Sequence, residues 1–526
     1  MNPWLNSISL LGIVALCAIA WVGSENRKII PWRVIIWGIG LQLLLGALIF
    51  LLPPTRSLFL MLNDGVSAML DATEAGARFI FGDLLVPNPT AAPGPTLAGR
   101  WIARAITPPY VPVPGDRLVP ENLGLGYIFA FRALPSVIFF SALMSLLYAL
   151  GLIQPIVNFL ARILRRTMRL SGAEALSGAA NIFVGVEALL AVRPYLLRMT
   201  RSELCAILAS GFGSIASTVL ALYSQLLRSE FPNITAHLVS ASFMAIPACF
   251  VMAKILVPET EVPETLGKTL RDSQTDTPGE VAEPAAQPPA AGGAETAELS
   301  PTDRPPAVLP PAKPALIDTA TEAVAVDGTT TRMTPMESVI VGAMDGVKLA
   351  AAIAALLIAI LGLVELVNLF FGNLAGLAAS QNAVLQQIGK IFQVVSVQNI
   401  LGAIFLPLTF LTGVSLNWQE LWQASMLIGQ RLVATEIPSY FGLANLASQG
   451  AISNRMLLVI SYALCGFAHI PSYGIFVGGL ASLIPTRRRE VASLGWKALW
   501  AATLGTLMIG CIAGLFDVGN PSILGR

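Results

Sequence analysis

Glu187 and Glu436 stand where carboxylates are costly: each interrupts a long apolar stretch, residues 170–197 and 420–446. At membrane depth an ionised side chain needs a partner, a ligand or a water-filled cavity. A carboxylate so placed can accept hydrogen bonds from ligand hydroxyl and N–H groups, and such charge-assisted bonds are about twice as strong as neutral ones. Asn181 and Gly185 lie beside the first acid, and Arg431, Thr435 and Pro438 beside the second. A purely structural alternative pairs Glu187 with Arg193 and Glu436 with Arg431. Other chemistries fail on inspection. His237 and His469 are the only histidines, which excludes a paired-histidine zinc helix. No Gly-x-Ser-x-Gly elbow occurs, and Gly267-Lys268-Thr269 lacks the upstream glycine of a phosphate loop because position 262 is Val. These absences argue against an intramembrane enzyme; a membrane receptor that binds without transporting stays open.

The elements that position these residues must be membrane helices. Of 526 residues, 55% are hydrophobic and 12% charged, with a mean hydropathy of +0.71. Soluble domains carry about 25% charged residues. Near-balanced charge, Lys+Arg 32 against Asp+Glu 31, gives no reason to expect nucleic acid as a partner. Cys17, Cys205, Cys249, Cys465 and Cys511 all fall in apolar stretches and read as buried free thiols. A bilayer core takes about 20 apolar helical residues. Runs of that kind predict eight spans near 8–24, 33–53, 127–151, 202–228, 235–257, 337–370, 455–482 and 490–516. The first lacks a basic start and a small-residue cleavage pattern, so it is expected to be retained.

Basic residues follow the first span (Arg27, Lys28, Arg33), the third (Arg162, Arg165, Arg166, Arg169) and the seventh (Arg487, Arg488, Arg489). Such loops stay preferentially cytoplasmic, which places both termini on the non-cytoplasmic side of a bacterial inner membrane. Arg100, Arg104 and Arg117 oppose this, from a segment long enough to weaken the rule. Residues 258–335, rich in Pro, Ala, Thr and acids, read as a flexible cytoplasmic linker. The expected organisation is 1–83 as N-terminal spans and interfacial helix forming a scaffold, 84–126 as an extracytoplasmic loop, and 127–257 as a first repeat with a hairpin near 167–197. The linker follows, and 336–526 forms a second repeat with a hairpin near 420–446. One interrupted segment in each half is the pattern of a secondary transporter built from inverted repeats, with its site where the broken helices meet.

Specific residues carry a resemblance. Ser171-Gly172-Ala173-Glu174-Ala175-Leu176, Ala180-Asn181-Ile182-Phe183-Val184-Gly185, Met199-Thr200-Arg201-Ser202-Glu203-Leu204 and Gly213 through Ala221 are similar to the concentrative nucleoside transporter family. So are Trp32-Arg33 through Gln42, Gly429 through Glu436, and Tyr462 through His469 with Gly474-Ile475 and Gly478-Gly479-Leu480. The likeness covers nearly the whole chain except 84–120 and the linker. It implies an all-α polytopic membrane protein with eight transmembrane helices, two re-entrant hairpins in inverted repeats and interfacial helices. It further implies a homotrimer that couples nucleoside uptake to sodium, or in some members to protons, by an elevator-type movement, with no organic cofactor.

The resemblance also assigns residues. Asn181 and Ser214, with the main-chain carbonyls of Val184 and Ile215, match the family's sodium ligands; alternatively Asn181 caps a half-helix and Ser214 bonds a preceding carbonyl. Val186, Glu187, Val219, Glu436, Phe467, His469 and Ser472 match substrate-contacting positions. Two departures stand out. The family's first hairpin reads Gly-Gln-Thr-Glu, whereas Gly185-Val186-Glu187 is one residue shorter and lacks both polar groups. The family's Phe-Ala-Asn-Phe-Ser-Ser appears as Phe467-Ala468-His469-Ile470-Pro471-Ser472, and the Asn before the second acid is Thr435. A different polar metabolite, such as a nucleobase or a modified nucleoside, is therefore the alternative cargo. His469 also has a bland reading, a satisfied helix-packing histidine. Asp345 and Lys348, three apart, are expected to form a structural pair.

Overall fold

A computed structural model of the chain describes residues 3–87, 96–97, 123–125, 127–267 and 334–519. The described chain is helical apart from a two-residue parallel pairing of Thr96–Leu97 with Leu123–Gly124 and a bridge between Ser171 and Leu266. The N-terminal part holds α1 (Pro3–Val22), α2 (Trp32–Phe50), the amphipathic α3 (Pro53–Phe81), α4 (Phe129–Ala149) and the amphipathic α5 (Ile153–Met168). Then come α6 (Gly172–Val184), a 3-10 segment (Gly185–Arg198), α7 (Arg201–Gly213), α8 (Ser217–Leu227) and α9 (Ile234–Leu256). The second half holds α10 (Pro335–Ala375), α11 (Ala383–Phe392), α12 (Val397–Leu411), α13 (Trp418–Ala434), α14 (Glu436–Ser448), α15 (Asn454–Ala463), α16 (Ile470–Leu483) and α17 (Arg488–Phe516).

Both expected hairpins are present, and each turns where the backbone leaves ordinary conformational space. The first folds α6 back on the 3-10 segment at Gly185, φ 64° and ψ −132°, a region that glycine enters without steric cost. The second folds α13 onto α14 at Thr435, φ 71° and ψ 172°, a region otherwise almost restricted to glycine. Polar caps start the arms. Ser171 with Glu174, and Thr200 with Glu203, form reciprocal capping boxes at α6 and α7, and Asn417 caps α13.

Seven helices among the described residues, counting α7 with α8 as one, are long and apolar enough to cross a membrane, or eight if α11 and α12, bent by 64°, count as one. The expected span 202–228 is unwound at 214–216, between α7 and α8, and 455–482 is split at 464–469, between α15 and α16. Glycine and serine at the first break and Gly466 and Pro471 at the second weaken the helix there. α10 has 41 residues, about 60 Å of helix against a hydrocarbon core of about 30 Å, so it must tilt or project.

Packing separates two groups of helices. α9 and α17 are almost wholly buried and pack on each other, with α7, α15, α1 and α2 around them. α4 instead runs along α10, and α3 lies across α4. Within 1–83, α1 and α2 pack on α17 and α9, while α3 touches α4, α9 and α2.

The expected linker boundary also moves. Residues 258–267 are fastened down: Thr265 accepts from the Gly172 N–H through its carbonyl at 3.0 Å, and Glu264 pairs with Arg198 at 2.9 Å. Thr334 caps α10, so that helix has started by Pro335. Residues 268–333, and most of the 84–126 segment, lie outside the described residues.

The basic loops share one end of the bundle. Arg33 donates to the Thr167 and Arg166 carbonyls, Arg487 to those of Leu197 and Met199, and Glu25 accepts from both Arg201 (2.9 Å) and Lys497 (2.6 Å). The two described chain ends meet at the other end, where Asn6 donates to the Asp517 carbonyl and Arg455 pairs with Asp517 at 3.2 Å. All five cysteines are free thiols, as expected, and four are buried. Asp345 and Lys348 pair at 3.0 Å.

Candidate functional site

The two helix breaks touch. Gly466, in the 464–469 break, lies so close to the α7 end that a Cβ built on it would sit 2.7 Å from the Gly213 carbonyl oxygen. Only a residue without a side chain lets the two unwound backbones approach this closely. Each break frees main-chain groups from the helical ladder, and the tip of the second hairpin points Glu436 at the second break.

Glu436 is the first residue of α14, directly after the strained Thr435, and is 2% exposed. Its Oε1 accepts from the Tyr223 hydroxyl of α8, and its Oε2 lies 2.8 Å from His469 Nε2 in the second break. The His469 ring is oriented from its other side: it caps α16, with Nδ1 accepting from the Ser472 N–H at 3.1 Å. That bond leaves the ring proton of a neutral imidazole on Nε2, facing Glu436. Ser472 folds back to donate from its hydroxyl to the Phe467 and His469 carbonyls. The Phe467 ring stands edge-on to the imidazole, with centroids 6.1 Å apart. Val219 is buried one helical turn before Tyr223 on the same face of α8. Five expected substrate positions, Val219, Glu436, Phe467, His469 and Ser472, thus come from α8, the second hairpin and the second break.

Of the two structural pairings, that of Glu436 with Arg431 does not form, and that of Glu187 with Arg193 falls on a side chain outside what is described. Arg431 is buried but donates to the Ala463 carbonyl and to Thr506 Oγ1, so it ties the second hairpin to α15 and α17 rather than to Glu436. Arg193 is exposed on the 3-10 segment. The backbone of Val186 and Glu187 continues that segment from Gly185; their side chains lie outside what is described.

Two of the residues expected at a sodium site, Asn181 and Ser214, meet at Ser210, and Ser214 makes the bond to a preceding carbonyl that its structural alternative describes. Asn181, 1% exposed on α6, donates from Nδ2 to Ser210 Oγ at 3.0 Å, and Ser214 Oγ donates to the Ser210 carbonyl at 2.8 Å. Ser217 Oγ donates to the Phe183 carbonyl at 2.9 Å, which stitches the first break to the first hairpin next to Val184. Ser214 is extended, φ −101° and ψ 162°, so the following carbonyl of Ile215 belongs to no continuous helix. The donor set is wholly oxygen and carries no formal charge, which suits a hard monovalent cation at a break in a helix.

Sequence reasoning did not single out Tyr223, although it shares a helix face with Val219. It also missed Ser210, which joins Asn181 to Ser214. Tyr223 stacks on Tyr440 of α14 with centroids 4.7 Å apart, and Tyr440 donates to the Ser461 carbonyl at 2.8 Å.

Comparison with known proteins places this geometry in a family. Residues 237–514 match the profile described as Na+ dependent nucleoside transporter C-terminus, residues 11–84 the corresponding N-terminus, and residues 130–230 a nucleoside recognition (gate) profile. An uncharacterized transporter of Haemophilus influenzae is 32% identical, covering 97% of each chain. The putative nucleoside permease NupX of Escherichia coli is 30% identical over 97% of this chain and 98% of its own. Human solute carrier family 28 member 3 is 30% identical over 97% of this chain and 60% of its own. Among solved structures, CNTnw in an inward-facing substrate-bound state aligns with a TM-score of 0.70 at 31% identity, covering 97% of this chain and 98% of that one. These relatives are transporters and not enzymes. A multi-pass helical membrane protein with two interrupted hairpins, this chain belongs to the Na+ dependent nucleoside transporter family.

Proposed function

We propose that the protein is a sodium-coupled symporter of nucleosides that works by elevator-type alternating access as a homotrimer in a bacterial inner membrane, with both termini on the non-cytoplasmic side. The carrying observation is the burial of Glu436 between the Tyr223 hydroxyl and His469 at the meeting point of the second hairpin with the two breaks. A carboxylate held there is suited to accept ligand hydroxyl groups. Asn181 and Ser214, with the carbonyls of Val184 and Ile215, would hold sodium, which would supply positive charge beside the first hairpin. Glu187 and Val186 would complete the substrate cavity from the first hairpin, opposite Val219, Phe467 and Ser472. The helices α3, α4 and α10 form the static side, and the bundle around α9 and α17 carries the site. The exposed apolar face of α10, which includes Ile358, Leu363, Leu366 and Phe370, supports the trimer as the element left uncovered in one protomer.

A second reading is favoured by His469. Because its Nε2 faces Glu436 Oε2 while the Tyr223 hydroxyl holds Oε1, both carboxylate oxygens already face polar groups of the chain, and a ribose must displace one of these or bind around them. A different polar cargo, such as a nucleobase or a modified nucleoside, fits that constraint. Purified protein in proteoliposomes, challenged with labelled uridine and adenosine, should accumulate at least one of them under an inward sodium gradient and not under potassium alone. If neither accumulates nor competes while correctly folded protein is present, the nucleoside assignment is wrong; accumulation under potassium would remove sodium instead.

A further inference from the structure

The facing stripes of α8 and α14 continue beyond the Glu436 cluster. On α14 the residues Glu436, Tyr440, Ala444 and Ser448 recur at helical spacing, and on α8 so do Val219, Tyr223 and Leu226. The stacked pair Tyr223 and Tyr440 closes this track one turn away from Glu436. One turn further on, at the end of the bundle where the chain termini meet, lies a crevice of about 490 Å³ between α8, α14, α3 and α4, lined by Leu226, Ala444 and Ser448 among others. Along α14 the distance from Glu436 to Ala444 is about 12 Å, so one small solute does not fill both places.

The floor of the crevice is a built polar site. Glu74 of α3, 3% exposed, pairs with Arg132 of α4 at 2.8 Å and accepts from Gln225 Nε2 of α8 at 2.8 Å. The Arg132 guanidinium lies over the Tyr127 ring at 5.0 Å. Three buried atoms here have no hydrogen-bond partner among the described residues: Tyr127 Oη, Arg132 Nε and Gln225 Oε1. Gln225 as a whole is 8% exposed. Buried polar atoms are seldom left unpaired, so three in one crevice call for a ligand or for water. Both cations of the lining are paired within the protein, Arg132 with Glu74 and Arg228 with Asp71 at 2.7 Å, and the wall also carries Glu230, so no anion is called for. What remains is an N–H donor, an amide oxygen acceptor and a hydroxyl that does either. Vicinal hydroxyl groups satisfy that set. Phe441, 44% exposed on the crevice wall, supplies an apolar aromatic face beside it.

We propose that this crevice is a second, peripheral binding site for a neutral hydroxylated solute with a flat ring, a nucleoside, held before the Tyr223–Tyr440 partition opens the track to Glu436. The inference rests on the nucleoside reading of the central site. Solute occupying the crevice touches α3 and α4 on one side and α8 and α14 on the other, so it binds at the boundary between the proposed static and moving groups.

Calorimetric titration of the purified full chain with uridine in saturating sodium tests it. Two equivalents per protomer are expected. Glu436→Ala should lose the central equivalent and keep the other, while Tyr127→Phe, which removes a single oxygen, should lose or weaken about tenfold only the peripheral one. Gln225→Met serves as a second probe of the same site. One equivalent that vanishes in Glu436→Ala and is untouched by Tyr127→Phe and Gln225→Met overturns the peripheral site, leaves the central reading standing and means the crevice holds water. One equivalent that survives Glu436→Ala but not Tyr127→Phe supports the crevice and sinks the central reading. No binding to the wild-type protein sinks both.

Discussion

At the scale of single residues, the site is governed by what His469 and Thr435 do to Glu436. Both positions were legible as departures from the family pattern, but their consequences were not, because they depend on three dimensions. His469 is at once the cap of α16 and a neighbour of Glu436. Asparagine is a good capping residue with a shorter reach. His469→Asn should therefore keep α16 intact, release Glu436 Oε2 and tighten uridine binding, whereas His469→Ala should cost about 1 kcal/mol through the lost cap. Binding titrations beside thermal unfolding in detergent separate the two; equal affinity in His469→Asn and wild type would show that the histidine does not obstruct the ligand. Thr435 is a β-branched residue in a region of backbone space that costs about 1–3 kcal/mol. Glycine removes that strain but gives back about 0.5–1 kcal/mol in unfolded-chain entropy. Thr435→Gly should thus stabilise by about 1 kcal/mol, read as a higher Tm. A lower Tm would mean that the threonine hydroxyl or methyl contributes more than the strain takes away. The pairing of Glu436 with Arg431 failed because sequence proximity of opposite charges says nothing of direction: Arg431 and Glu436 lie on opposite sides of the turn at Thr435.

At the scale of elements, the paired interrupted hairpins were readable because polar residues in the middle of apolar runs have few explanations in a membrane. The breaks in α7–α8 and α15–α16 were not, since 202–228 and 455–482 have the length and hydropathy of plain spans. Their signal was local: Gly213-Ser214 in one, Gly466 and Pro471 in the other, residues that weaken a helix without lowering its hydropathy. The close backbone approach of Gly466 to Gly213 is what holds the two breaks together. Gly466→Ala must push them apart, and a cost of about 1–3 kcal/mol is expected for such overpacking. Transport should fall further than stability, because both candidate sites are built on these breaks. Uptake per folded protein, compared with Tm, reads this directly; a variant with normal uptake would show that the contact can relax. Tyr223 escaped notice for a different reason. A tyrosine in a buried membrane helix reads as packing, and only its meeting with Glu436, 213 residues away, marks it as part of the site.

At the scale of the molecule, the first loop acts as a clamp on the basic end of the bundle. Glu25 joins Arg201 at the start of α7 to Lys497 near the start of α17, one from each half of the chain. Partial burial pushes the Glu25 carboxyl up, but the hydrogen bonds from Lys497 and Arg201 outweigh it and hold the group below the usual carboxylate range. A lowered folded value means that the stabilisation is fully present above the ordinary carboxylate value of about 4.3 and is lost as pH falls through the folded one. Glu25→Gln should therefore lower Tm slightly at neutral pH, a cost under about 1 kcal/mol for so exposed a cluster, and the difference from wild type should shrink as pH falls below about 4.3 and vanish once it has passed the lowered Glu25 value. A difference that persists in acid would point to packing instead of charge.

The central claim is that solute moves through the Glu436 cluster under a sodium gradient. Its most direct test is the initial rate and final level of labelled uridine uptake into sodium-driven proteoliposomes by wild type and Glu436→Ala, with folded protein matched by size-exclusion profile. The wild type should concentrate uridine above the external level and the variant should not exceed protein-free vesicles. Concentrative uptake by the variant equal to that of the wild type would contradict the account.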